Sequence, residues 1–213
     1  MFACLTADLI GSRRVSDRAA VQRQVEQALG RVNSEFQGRL VVPFSFTVGD
    51  EWQGLLDAPD AALEADFRLR RLLHPLGVSS GLGLGAVSTP IRDRTAAMDG
   101  PCFHRSREAL ERAKRLRSQA TVFASGLPLL DRPTNAICLL LHALSGKWTP
   151  KQHRTVMTYA DRGTEAAAAE ALGVSQPTVH QSLEAARGRA YLQAREELLE
   201  FVRTFPLTPE GAP

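Results

Sequence analysis

Between residues 17 and 36, apolar side chains recur every three or four positions, as Val21, Val25, Leu29, Val32 and Phe36. That spacing draws one stripe down a long helix. Upstream the pattern is different. Residues 2–7 alternate weakly and end at Asp8, followed by Leu9-Ile10-Gly11-Ser12, which reads as a buried strand leaving into a glycine turn. Residues 40–48 are rich in Val and Phe and lack the helical period, so they predict a second strand. Gly49-Asp50 is a hairpin signal, with residues 51–56 as the return strand. Residues 57–73 predict a second helix capped by Asp57 or Asp60. In the strand predicted at 77–87, Gly81, Gly83 and Gly85 alternate and therefore share one face, where another element has to approach closely. Gly100-Pro101 opens a third helix to about Leu116, and residues 121–124 predict a last short strand.

The predicted order is β-α-β-β-α-β followed by α-β. Its first six elements match the split βαβ arrangement, so the expected class is α/β with a ferredoxin-like (βαββαβ) sheet. After a break at Gly126-Leu127-Pro128, a connecting helix is predicted near 134–144, then a linker at 145–147. Everything from Trp148 to Phe205 is helical in pattern. The expected organisation is an α/β domain at 1–128, a connecting helix and linker at 129–147, an all-α helix-turn-helix domain at 148–205 and a short tail at 206–213.

Charge and cysteine content narrow the function classes. The 213 residues carry a formal net charge of +3, too little to make the whole molecule a polycation for nucleic acid or membrane. Residues 147–213 hold eight basic and eight acidic side chains, so a nucleic-acid contact there has to come from a local patch. Cys4, Cys102 and Cys138 sit among apolar residues and form no even disulfide framework, which points to the reducing cytoplasm. The N-terminus has no basic segment before its apolar run, unlike a signal peptide. The longest apolar run, 136–144, falls far short of the ~20 residues of a membrane helix.

The clearest local motif lies at 164–187. Ala169 sits in a short Ala-rich helix, Gly173 in a turn, and Val179 in the next helix, which is the set of residues a helix-turn-helix needs. Ser175 is a good N-cap and Pro177 is tolerated in a first helical turn. Val179, Leu183 and Ala186 then face inward, and Gln176, His180, Gln181 and Glu184 outward. Glutamine amides bond adenine edges bidentately, so Ser175, Gln176, Thr178, His180 and Gln181 are candidate contacts to double-stranded DNA. Lys151, Arg154, Arg187 and Arg189 flank them as candidate phosphate contacts. Trp148-Thr-Pro-Lys-Gln and Ala168-Ala-Glu-Ala-Leu-Gly-Val-Ser-Gln-Pro-Thr-Val179 resemble region 4 of sigma factors and related response-regulator tails. The alternative use of such a motif is protein contact alone.

At the other end, Asp8 closes the first strand and Asp50 lies in the predicted hairpin. A split βαβ sheet sets these side by side, where paired carboxylates suit Mg²⁺ or Mn²⁺. Backbone N–H groups at Gly11, Ser12 and Gly49 are candidates to cradle a phosphate. Among the basic residues of the third helix, Arg105 and Arg107 are the best phosphate candidates, while Glu108–Arg112 and Glu111–Arg115 read as surface pairs.

Ala7-Asp-Leu-Ile-Gly-Ser12, Val48-Gly-Asp-Glu-Trp-Gln-Gly54, Gly81-Leu-Gly-Leu-Gly85 and Asp99-Gly-Pro-Cys-Phe-His-Arg-Ser-Arg-Glu-Ala109 resemble the SatD family. The same motif order resembles the palm domain of class III nucleotidyl cyclases. That resemblance implies Asp8, the Leu9 carbonyl and Asp50 as metal ligands, and pairing of two palms in a homodimer. Where such cyclases carry an Asn and, four residues on, an Arg, this chain has His104 and Glu108, which removes a cation from the reacting phosphate. The expectation is a cytoplasmic DNA-binding transcriptional regulator with a nucleotide or phosphorylated ligand. The alternative is a Mg²⁺-dependent nucleotidyl cyclase or transferase with a helix-turn-helix adaptor.

Overall fold

The computed structural model describes residues 1–11, 17–116 and 120–207. Its strands are β1 (Phe2–Leu9), β2 (Leu40–Phe46), β3 (Trp52–Leu56), β4 (Val78–Gly85) and β5 (Ala120–Ala124). The helices are α1 (Arg18–Glu35), α2 (Pro59–Leu73), α3 (Pro101–Arg115), α4 (Pro128–Ser145), α5 (Pro150–Arg162), α6 (Glu165–Leu172), α7 (Gln176–Ala186) and α8 (Gly188–Thr204). The protein is thus mixed α/β, with one five-stranded sheet in the order β2-β3-β1-β4-β5. All neighbours are antiparallel except β4 and β5, which α3 connects in parallel. Two compact units emerge, Met1–Cys138 with Leu199–Pro213, and Leu139–Leu198. The divisions fall inside α4 and α8 rather than in loops.

In the sheet unit, β1 is central and alternates between two chemistries. Cys4 and Thr6 turn to α3: Thr6 Oγ1 and Ser106 Oγ are 2.7 Å apart, and Gln53 Nε2 donates to Thr6 at 2.7 Å. Ala3, Leu5, Ala7 and Leu9 occupy the opposite positions and are buried. The glycine stripe of β4 seats α3. A Cβ on Gly81 would stand 2.1 Å from the Ser106 carbonyl oxygen, and one on Gly83 2.2 Å from that of Cys102. No larger residue allows helix and strand backbones so close.

Both edge strands are closed by an asparagine. Asn33 of α1 accepts from Phe44 N at 2.8 Å and donates to its carbonyl at 3.0 Å. Asn135 of α4 does the same to Phe123 of β5, at 2.7 and 2.9 Å. Each side-chain amide stands in for a neighbouring strand and blunts an edge that would otherwise template aggregation.

Two helix boundaries differ from the sequence expectation. Helix α2 is capped by neither Asp57 nor Asp60: its N-cap is Ala58, with no side-chain bond. Asp57 pairs instead with Arg39 at 2.8 Å. Helix α4 begins at Pro128 rather than near Thr134 and carries Pro133 inside it. Its early turns are anchored by Asp131, which accepts from Ser125 N at 2.8 Å, and by Asn135. The three cysteines are free and buried, and burial pushes the Cys4 and Cys138 thiols up to about 12 and Cys102 to about 11. They are inert packing residues.

The second unit is helical. Thr149, Thr164 and Ser175 cap α5, α6 and α7, each accepting from a backbone N–H three residues on. Gly163 and Gly173 end α5 and α6 in the left-handed region, at φ 76° and 65°. Val156, Ala168, Ala169, Val179, Leu183 and Ala186 are buried. Trp148 closes the unit by donating Nε1–H to the Ala186 carbonyl at 2.8 Å and packing edge-on against Tyr191. Among the described residues, no helix is long and apolar enough to cross a membrane.

Candidate functional site

The antiparallel register carries Asp8 to the β2–β3 turn. Ala7 pairs with Trp52, so Asp8 lies one step further, beside the residues that precede β3. The turn is closed by Thr47 N donating to the Glu51 carbonyl at 2.9 Å and by Glu51 N donating to Val48 at 3.1 Å. Gly49 takes φ 65° at its tip. The Glu51 carboxylate accepts from Thr47 Oγ1 at 3.1 Å, within the turn. Asp50 reaches Asp8, and its proximity adds to the burial that pushes the Asp8 carboxyl above the usual carboxylate range.

A lysine opposes that shift. Lys114 Nζ of α3 lies 2.8 Å from Asp8 Oδ2 and 3.4 Å from Glu111 Oε1. Burial works against the Lys114 ammonium, but the two carboxylates outweigh it and hold it above its ordinary value. One cation does not satisfy two carboxylates. Asp8 Oδ1 and Asp50 Oδ2 are buried and have no hydrogen-bond partner among the described residues. Two ionised carboxylates only accept, so the pair needs a shared proton or a cation. Its hard oxygen donors fit Mg²⁺ or Mn²⁺, which binds through one or two carboxylates and takes its remaining ligands from phosphate and water. Among the described residues no group of three or more His, Cys, Asp or Glu side chains gathers to hold a metal.

The other expected ligands divide. Leu9 pairs with Val78 at the end of β1, next to Asp8. Gly11 follows in the exposed turn at φ 73°, and Ser12 lies outside the described residues. Arg105 is not brought to the pair: its guanidinium donates to the Leu84 carbonyl at 2.6 Å and packs near Gly126. Leu84 pairs with Ala3, at the far end of β1 from Asp8, and Lys114 lies nine helical steps beyond Arg105, about 14 Å of rise. Arg107 is exposed on α3, as are His104 and Glu108, and His104 pairs with Asp99 at 2.9 Å. Lys114 is the residue that sequence reasoning passed over. Its signal was the stripe Phe103, Ser106, Leu110, whose next helical step is 114, on the face that packs against β1.

On α7, Val179, Leu183 and Ala186 are buried, and Gln176, His180, Gln181 and Glu184 are exposed. Several expected DNA contacts have partners of their own. Ser175 caps the helix, and its hydroxyl lies 2.9 Å from that of Thr178. His180 Nδ1 lies 3.1 Å from Glu165 Oε1. Arg189 pairs with Glu184 at 2.6 Å and also with Glu165. Those pairs knit α6, α7 and α8 together. Gln176, Gln181, Lys151, Arg154 and Arg187 remain exposed.

No curated protein sequence matches the chain. Among solved structures, it is similar to a regulator of polyketide synthase expression from Bifidobacterium adolescentis, at 15% identity and a TM-score of 0.27, covering 94% of this chain and 85% of that one. The motifs around Asp8, Asp50 and the β4 glycines fall within a family match: the SatD family profile spans residues 2–202, and the chain belongs to the SatD family.

Proposed function

We propose that the chain is a cytoplasmic DNA-binding transcriptional regulator whose sheet unit binds a nucleotide or phosphorylated ligand together with Mg²⁺ or Mn²⁺. The observation that carries the regulator reading is α7. It follows α6 after a three-residue turn that opens on the left-handed Gly173, buries one apolar stripe and leaves two glutamine amides exposed. A helix-turn-helix presents its second helix to the major groove in this way, with glutamine reading adenine. Lys151, Arg154 and Arg187 supply exposed charge for phosphates. The ligand half is supported by the orphaned oxygens of Asp8 and Asp50. The strand order β2-β3-β1-β4 supports a ferredoxin-like palm as its scaffold. A homodimer suits this reading, because a single helix-turn-helix has a small footprint and reads two half-sites through a two-fold.

The test is selection of genomic fragments at low salt, followed by Gln176→Ala with Gln181→Ala. The double variant should keep the wild-type melt and lose selective binding by at least about tenfold, since each bidentate base contact is worth ~1–3 kcal/mol. Residual binding should fall steeply with salt. No fragment bound at low salt defeats the regulator reading, and a monomeric mass by light scattering defeats the dimer. The carboxylate pair favours a second reading, Mg²⁺-dependent nucleotidyl transfer or cyclisation. Product formation from labelled nucleoside triphosphates with Mg²⁺ or Mn²⁺ would establish it, against the His104 and Glu108 substitutions that oppose it.

A further inference from the structure

We propose that the cleft between the first turns of α1 and the β2–β3 hairpin receives the base of a nucleotide, whose phosphates lie at Asp8 and Asp50. The inference rests on the metal–phosphate reading of that pair and adds where the rest of the ligand goes. A cavity of about 120 Å³ opens there. Leu9, Val21, Val25 and Phe46 give it apolar walls, Arg18 and Gln22 line it with polar groups, and Asp50 borders it. Asp50 therefore belongs to both the cavity and the carboxylate pair. Leu9, next after Asp8 in β1, alternates to the cavity side of the sheet, so the two subsites meet across the end of one strand.

The chemistry of the lining selects the ligand class. At about 120 Å³ the cavity is smaller than the ~150 Å³ that encloses a benzene ring, but it opens to solvent beside the exposed Arg18 and Gln22, so it takes one edge of a planar ring with the rest outside, and it is short for a prenyl or acyl chain. An inorganic phosphate would leave the apolar walls unused. The Gln22 amide offers both a donor and an acceptor, and the Arg18 guanidinium a planar set of donors, which matches the edge of a heterocyclic base. Gln22 and Arg18 are exposed, and the Gln22 amide donates to Glu26 at 3.1 Å, a surface bond that exchanges readily. A nucleoside phosphate is the ligand that combines a flat ring, a polar edge and an anion able to share a cation with Asp8 and Asp50.

The experiment compares Mg²⁺-nucleoside triphosphates with Mg²⁺-tripolyphosphate on the full chain by calorimetry, for wild type, Val21→Phe and Gln22→Ala. The expected result is a nucleotide bound at least about tenfold tighter than tripolyphosphate. Val21→Phe, which fills the cavity, should erase that margin and leave tripolyphosphate binding unchanged. Gln22→Ala, at an exposed position that does not threaten folding, should compress the differences among bases. Equal affinity for nucleotide and tripolyphosphate in wild type overturns the inference, as does a loss in Val21→Phe that falls equally on both. If neither binds, the metal–phosphate reading has failed, and phosphate-free nucleosides decide the cavity alone. Shifts in the methyl resonances of Leu9, Val21 and Val25 would retain it as a base site, and their absence would remove it.

Discussion

Asp66 and Asp8 are both carboxylates held between the sheet and a helix, and each has a helical cation at 2.8 Å. Around Asp66 both carboxylate oxygens have donors. Ser80 Oγ donates to its Oδ1, and Thr121 Oγ1 and Arg70 Nε donate to its Oδ2. The rest of the Arg70 guanidinium donates to the carbonyls of Val78 and Ala120 and to Ser80 Oγ. Around Asp8 the accounting stops short. Lys114 takes one oxygen, and the other is left buried near a second carboxylate with an orphaned oxygen of its own. A satisfied buried pair fixes how β4, β5 and α2 meet, and needs nothing further. An under-satisfied one at a strand end is where a ligand has something to contribute.

The largest effect expected from this contrast is at the satisfied cluster. Asp66→Asn strands the Arg70 charge in the core and should cost ~3–5 kcal/mol in denaturant unfolding. Asp66→Leu with Arg70→Met removes both charges and should recover much of that loss. A loss under about 1 kcal/mol for the single change would mean that the cluster is wetter and weaker than its geometry.

Next comes metal. Mg²⁺ or Mn²⁺ at about a hundredfold excess over its Kd should stabilise the wild type by ~2.7 kcal/mol, read as a higher melting temperature. Asp8→Asn and Asp50→Asn should each abolish the gain and, without metal, melt at or above the wild type because a repulsion is gone. An unchanged wild-type melt with every combination of metal and nucleoside triphosphate removes the distinction between the two clusters.

Sequence pattern reached these regions unequally. The long helix was plain because its apolar period runs unbroken from Val21 to Phe36, and α1, Arg18–Glu35, begins and ends within a residue of the span 17–36. The β4 glycines announced a close approach, which α3 makes. Asp8 and Asp50 could be paired in advance, because a strand end and a hairpin tip are positions that topology alone brings near. Lys114 and Arg105 could not be separated that way: both are cations on one basic helix, and only the seating of α3 along β4 decides which end meets Asp8. The Asp66–Arg70 cluster was hidden in an ordinary i,i+4 pair that reads as surface. His180 and Arg189 looked like DNA contacts because their partner Glu165 is 15 and 24 residues away.

A smaller effect is expected at Lys114, whose side chain is 34% exposed. Lys114→Met removes the tethered cation from Asp8. In the metal-free protein this should cost at most about 1 kcal/mol, as for partly exposed pairs. The sharper readout is the competition: with the ammonium gone, Asp8 should take Mg²⁺ more readily, so the metal-induced rise in melting temperature should grow. A rise that shrinks instead would mean that Lys114 helps to hold the anionic ligand rather than standing in for the metal.

The smallest expected effect is a pH dependence, and its sign separates Asp8 from a typical paired acid. Glu35, bonded by Arg68 at 2.5 Å, is held below its ordinary range, so its contribution is present at neutral pH and lost as pH falls. Asp8 is shifted the other way, raised by burial and by Asp50 against the opposition of Lys114. A raised acid is favoured in its neutral form in the fold. Its contribution is therefore complete below the unfolded value, ~3.9, and is lost as pH rises through the folded value. Many other carboxylates titrate in the same window, so the measurement is the difference in melting temperature between wild type and Asp8→Asn. From pH ~3.5 to ~7 the wild type should lose ground to the variant in metal-free buffer. Saturating Mg²⁺ should reverse that trend, because a cation binds the ionised pair and rewards deprotonation. A difference that stays flat without metal would mean that Asp8 ionises as easily folded as unfolded, and that Lys114 alone suffices to balance it.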